Sequence, residues 1–381
     1  MSGRVRGWML AGSVVVAVLV VATVLILLAG ADPLTGLQGL IAGVSSSPYR
    51  VGELLVGAVP IAIVALTLIP ALRAGVFSVG AEGQVIFGAI FATAATLGTA
   101  GLFGEGVPAP VYWVIGMVSG ALGGAAFALL PAWLAERWHV NIILSTLLLN
   151  YIAAGFLGWT LRTWLASDEN TATPQSPQLP EASALPDLIP GTRAHIGVLL
   201  IIVVAVLFEW WRRTSQATRI GVFAERPRLA LRLGTTRART LYGTMLVSGA
   251  GAGVVGWLQV AGVNERLFNS VSGGVGFSGL AVALLGALLP GGILLAALFF
   301  SALTAGALGI QSATGTVPSS IADVIKGVLL LGVAAVAGVT ARSGAARPAA
   351  APPLTDVASV APDGEPTPAA ASVSAGTEER S

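Results

Sequence analysis

The chain has 381 residues, 55% apolar and only 10% charged, with a net charge of +2 and a mean hydropathy of +0.85. Soluble domains carry about a quarter charged residues, so this composition excludes a soluble globular fold and indicates an all-α, polytopic membrane protein. Cysteine is absent, which excludes disulfides, thiolate chemistry and Cys-ligated metal, and two distant histidines without a carboxylate cluster offer no metal site.

A membrane-crossing helix needs ~20 mostly apolar residues. Ten segments answer to that description: 8–30, 51–72, 79–100, 110–135, 140–161, 195–211, 240–262, 276–289, 291–312 and 319–340. The first follows Arg4 and Arg6 and ends at a cleavable-looking Ala29-Gly30-Ala31. Its uncharged run from Trp8 exceeds the ~7–15 residues of a signal-peptide core, so it reads as an uncleaved anchor. Pro60 is expected to kink the second. The third opens with GVFSVGAEGQV (residues 75–85), where glycines and a glutamate interrupt an apolar run. In the fifth, Asn141 and Ser145 share a face, with Asn150 beyond them. These suit interhelical hydrogen bonding or, alternatively, substrate contact.

Residues 162–194 form the longest outer connection, rich in Pro and Ser, with Asp168, Glu169, Glu181 and Asp187. This is either a solvated connector or a docking surface for an extracytoplasmic partner. Residues 212–239 hold eight arginines. Within them, Pro227 suits the first position of a helix, Leu229, Ala230 and Leu233 fall on one face, Arg228 and Arg232 on another, and Gly234 supplies a stop. A short amphipathic helix outside the membrane fits either a soluble partner's groove or the lipid surface.

Segment eight opens with SGGVGFSGLAV (residues 272–282), and its boundary with segment nine, at Pro290-Gly291-Gly292, is open. Asp323 and Lys326 in segment ten are spaced i, i+3, an ion pair or a proton relay. Lys326 is the only lysine and Gly327-Val328 follows it, so the chain has no phosphate-binding loop and any ATP must be hydrolysed by another chain. Residues 341–381 have almost nothing to bury and are expected to be disordered, leaving 1–340 as the membrane domain.

With the N-terminus placed inside, the inner side collects Arg4, Arg6, Arg73, Arg137, the eight loop arginines, Arg342 and Arg347, against Arg50, Arg162, Arg193 and Arg266 outside. That bias puts both termini in the cytoplasm. Split five plus five, segment three corresponds to segment eight, and the two openings approach from opposite sides, as in an inverted repeat. Glycine-broken starts leave backbone free beside a polar cavity, which Glu82 and Gln84 would line or brace. A glutamate in a first helical turn is equally explained as a cap, stabilised by the helix dipole.

Three stretches carry a resemblance. Phe77-Ser78-Val79-Gly80-Ala81-Glu82-Gly83-Gln84 is similar to a family pattern Phe-Asn-Ile-Gly-x-Glu-Gly-Gln, with serine in place of asparagine. ILSTLLLNYIA (143–153) and GFSGLAVALLG (276–286) match two further family segments in order. Over about residues 50–340 the chain resembles permease subunits of bacterial ABC importers of the branched-chain amino acid, simple sugar and nucleoside class. It most resembles nucleoside-type permeases that work with a basic-membrane-protein lipoprotein. The arginine loop departs from the family's Asn-Pro-x-Ala-x-x-Tyr-Ala-Gly, keeping the proline, one alanine and the glycine.

The resemblance implies a multi-pass permease of the bacterial cytoplasmic membrane that is not an enzyme. Partner ATPases would bind ATP and magnesium, with no cofactor or metal in this chain. The other implied partners are a paralogous permease in a heterodimer, a substrate-binding lipoprotein and membrane lipid, with no nucleic acid. Phe77, Ser78, Gly80, Glu82, Gln84, Asn150, Phe277 and Ser278 would line the substrate pathway. Pro227, Leu229, Ala230, Arg232 and Gly234 would couple to the ATPase. The solute would be a nucleoside first and a simple sugar second. The competing class is a proton-coupled secondary transporter with Glu82 or the Asp323–Lys326 pair titrating; a scaffold or intramembrane enzyme has no nucleophile–base pair to support it.

Overall fold

The computed structural model describes residues 30–104, 106–167, 173–225, 234–320 and 323–327, with Val20, Thr23, Val24, Ile26, Leu27, Leu28, Ala230 and Arg232 besides. Most of segments 8–30 and 319–340, the tail 341–381, Pro227, Leu229, Asp168 and Glu169 lie outside the described residues. The chain divides into units 1–333 and 334–381, and all that follows concerns the first.

The described residues are helical apart from turns and two isolated bridges, Gln175 with Phe268 and Asp187 with His195. Helix α1 is Pro33–Ser45, α2 Pro48–Thr67, α3 Ile69–Arg73, α4 Ala81–Phe103, α5 Ala109–Trp138 and α6 Ile142–Thr160. Helix α7 is Val198–Arg212, α8 Ser215–Glu225, α9 Arg237–Leu258, α10 Val275–Leu285 and α11 Pro290–Thr314. Local chemistry sets many of these starts. Asp32, Ser47, Asn141 and Thr236 each accept a backbone N–H from the helix they precede, and proline opens α1, α2 and α11.

Six stretches are long and apolar enough to cross a membrane: Pro48–Arg73, Ala81–Phe103, Ala109–Trp138, Ile142–Thr160, Arg237–Asn264 and Pro290–Thr314. Expected segment six is a helix of 15 residues, α7. Segments eight and nine are separate helices, parted by a turn in which Ala287 and Leu288 take positive φ. Helix α10 has only 11 residues, about 16 Å or half the hydrocarbon thickness. Helix α2 is continuous through Pro60, and a break in the helix falls at Leu68, before Pro70. Helix α1 was not expected: 13 residues with Gly36, Gly39 and Gly43 are too short and too glycine-rich to read as a span.

Close backbone approach holds the bundle together. Helix α9 packs against α5 and α4. A methyl on Gly253 would strike the Gly120 carbonyl, and one on Gly124 the Gly249 carbonyl. Helices α1 and α11 meet in the same way through Gly39, Gly43 and Gly309. Where the surroundings are as apolar as the side chains, dispersion contact between backbones replaces hydrophobic burial as the driving force. Helix α2 is the hub, 83% buried over its apolar stretch against 28% for α6; it touches α7, α9, α10 and α11. Helix α6 turns Leu144, Leu148 and Ile152 outward.

Candidate functional site

The two glycine-broken starts meet. Helix α4 begins at Ala81 after the non-helical run Gly75–Gly80, and α10 begins at Val275 after Gly273 and Gly274, both at positive φ. The Glu82 carboxylate, 9% exposed, reaches across. Its Oε1 accepts the N–H of Gly274 at 2.9 Å and its Oε2 the N–H of Gly276 at 2.8 Å. Glu82 thus caps a helix, but α10 rather than its own, and its carboxyl group lies at the positive ends of both helices. Gly276 permits the contact, since a methyl there would overlap the main-chain nitrogen of Glu82.

The start of α4 is held from its other side by α6. Asn150 accepts the Gly83 N–H at 2.9 Å and donates to the Val79 carbonyl at 2.9 Å, while Thr146 accepts the Val79 N–H at 3.2 Å. Ser78, buried, accepts the Gly80 N–H at 3.3 Å. Gln84, also buried, accepts the Ser248 hydroxyl of α9 at 3.4 Å. Behind Gly83 the Phe127 ring stacks on Phe87 at 4.2 Å.

The structure therefore brings together Ser78, Gly80, Glu82, Gln84 and Asn150, with Gly274 and Gly276 added to the set. Phe77 and Phe277 lie outside this knot at 40% and 45% exposure, and Ser278 is half-buried. Asn141 caps α6, accepting the Ile143 N–H at 2.9 Å, and Ser145 donates to the Ile142 carbonyl. Both bonds are local, so of these three polar residues only Asn150 reaches across, joined by Thr146, which the sequence pattern did not single out. Lys326 donates to Asp323 at 3.2 Å, the local ion pair.

On the side of the arginine loop a cleft of about 780 Å³ opens between the end of α3, the α5–α6 turn, α8 and α9. Phe77, His139, Asn141, Phe223 and Arg237 line it. Arg237 lies 3.7 Å from Glu136. Helix α8 packs on α3. Of the expected coupling residues, Ala230 is buried, Arg232 is exposed, and Gly234 takes φ +77°, a left-handed residue suited to a helix stop.

The opposite face carries a folded cap that sequence composition did not reveal. Residues 173–197 lie on the stretch after α9: Leu179 donates to Glu265, Leu185 to Ala261 and Ser176 to Leu267. His195 is buried against Gly262, and its Nδ1 accepts the Gly197 N–H. Arg193 donates to both Glu53 oxygens at 2.8 and 2.6 Å, a bond that raises the arginine pKa. The segment is thus packed, not a solvated connector. Among the described residues no group of three metal-ligating side chains occurs.

Residues 50–334 match the family described as branched-chain amino acid transport system / permease component. The glucose ABC transporter permease of Haloferax volcanii is 29% identical over 344 residues, covering 86% of this chain and 88% of that one. The guanosine ABC transporter permease of Bacillus subtilis is 28% identical over 317 residues, 81% and 88% of the two chains. The nucleoside ABC transporter permease of Lactococcus lactis is 29% identical over 322 residues, 82% and 86%. No solved structure matches the chain.

Proposed function

The chain belongs to the permease component family of branched-chain amino acid transport systems, and from that premise we propose that it is the membrane-spanning subunit of an ATP-driven importer for a nucleoside or simple sugar. The extent of the match carries the reading. Residues 50–334 contain both glycine-broken starts, the arginine loop, five of the six long apolar stretches of a multi-pass membrane permease and all but the first two residues of the other, Pro48–Arg73. Relatives named for guanosine, nucleosides and glucose support a neutral, hydroxyl-rich solute, nucleoside first. The protein resides in a bacterial cytoplasmic membrane with both termini inside, paired with a paralogous permease and fed by a substrate-binding lipoprotein.

ATP and magnesium bind to the partner ATPases. Their closure pushes on the helix near 227–234, where Pro227, Leu229, Ala230, Arg232 and Gly234 form the contact. Motion of the loop has a route inward, because α8 packs on α3, which continues the hub helix α2. A push there tilts α2 with its neighbours and opens the solute path alternately to either side, the rigid-body rocking expected of repeat-built permeases. Of the two groups named for the proton-coupled alternative, Glu82 has both oxygens engaged with backbone donors, which leaves the Asp323–Lys326 pair to carry that reading.

Gentle extraction of the tagged chain at native levels is the test, followed by identification of what co-purifies. An ATPase, a second permease and ATP-dependent uptake of labelled guanosine by the reconstituted complex are the expected result. Recovery of the chain alone, transporting under a proton gradient without ATP, refutes it. Arg232→Glu should cut substrate-stimulated ATP hydrolysis severalfold at unchanged yield; undiminished coupling would place the helix on the lipid surface instead.

A further inference from the structure

Two helix starts that meet concentrate unpaired N–H groups and two positive dipole ends at one point. Inside a membrane such donors are costly when bare, and they attract anions. Here the seat is filled from within. Glu82 places one oxygen on Gly274 and the other on Gly276, at 2.9 and 2.8 Å. At Gly276 the two starts are in close contact, since even one methyl there would overlap the Glu82 main chain. On the far side, Asn150 and Thr146 fix both backbone groups of Val79 and the N–H of Gly83. Glu82 therefore stands on a start that is itself clamped, and where Gly276 meets the Glu82 main chain no solute can pass between the two starts.

We propose that Glu82 is a positioning residue that keeps the starts of α4 and α10 joined as one unit throughout the transport cycle, filling their anion seat, so that the solute path runs beside this junction and not through it. The inference rests on the importer reading for the existence of a cycle; the bonding does not depend on it. A seat already holding a carboxylate also leaves no place for a substrate's carboxylate or phosphate, in keeping with a neutral solute.

Hydrogen exchange of the main-chain amides in 270–280 tests this on the full-length chain, in the complex co-purified with its ATPase. Exchange should be equally slow without nucleotide and after trapping with ATP and vanadate; a nucleotide-dependent rise in that segment overturns the proposal. Glu82→Ala should speed exchange there on the order of tenfold or more, and added formate, small enough for the vacated seat, should slow it again. Unchanged exchange in Glu82→Ala overturns the proposal as well. Glu82→Gln keeps the size and one acceptor and should fall between the two. A complex without ATPase activity or guanosine uptake would fail the importer reading alone, because the comparison of wild type with Glu82→Gln stands without either.

Discussion

The starts of α4 and α10 look alike in sequence and do opposite jobs. Each places closely spaced glycines beside a Phe-Ser pair: Phe77-Ser78 before α4, Phe277-Ser278 inside α10. Yet the α4 start is rich in side-chain bonds, to Ser78, Thr146 and Asn150, and contributes a carboxylate. The α10 start contributes bare backbone, and that carboxylate satisfies it. Complementarity, not duplication, joins them. Glycine serves the two sites differently as well: at Gly276 by absence of bulk, at Gly274 by its left-handed backbone.

The neighbouring glycines of α10 are where this contrast breaks most visibly. Gly276→Val puts two branches where not even a methyl fits, against main chain that cannot rotate away. The expected result is loss of monodisperse protein by size-exclusion chromatography. Gly274→Ala meets nothing within 4 Å and pays only for φ +77°, ~1–2 kcal/mol, so it should still fold and melt a few degrees lower. Equal behaviour of the two would mean that the junction is looser than its geometry.

Removing the clamp on the α4 start comes next in size. Asn150→Leu orphans the Gly83 N–H and the Val79 carbonyl together. Each buried unsatisfied group costs about 1–3 kcal/mol. Asn150→Asp keeps the acceptor for Gly83 but sets an oxygen against the Val79 carbonyl, so it should not rescue the melting temperature. If aspartate matches wild type, the Val79 bond contributes nothing and the α4 start depends on Gly83 alone.

How much of this was legible depends on distance along the chain. Glycines in an apolar run marked both starts, because nothing in a membrane helix favours glycine except close approach or an unusual φ. That Glu82 serves residues 192 and 194 positions away was beyond local pattern, and a first-turn glutamate looks the same whichever helix it caps. Asn141, spaced for interhelical contact, proved to be a helix cap because the chain emerging from His139, at φ 55°, turns there. The prolines and serines of 162–194 left a solvated connector and a docking surface both open, and neither reading foresaw that Ser176, Leu185, Ala194 and His195 would be buried. Their partners, after α9, become neighbours only once the bundle forms.

The smallest effect on stability, and the sharpest on function, should come from the two phenylalanines that the starts share. Both project from the junction, at 40% and 45% exposure, so neither supports the core. Loss of a side chain at such a position usually changes stability by less than about 0.5 kcal/mol. Phe77→Ala and Phe277→Ala should therefore melt within about 2 °C of wild type. Phe77 lines the cleft beside the arginine loop and Phe277 does not. If the solute path runs beside the Glu82 junction and touches both starts, each substitution should lower guanosine uptake severalfold without altering yield. A loss confined to Phe77→Ala would assign the path to the cleft alone and leave the α10 start a purely structural counterpart. Unchanged uptake in both would move the path away from the two starts, leaving their glycines to packing alone.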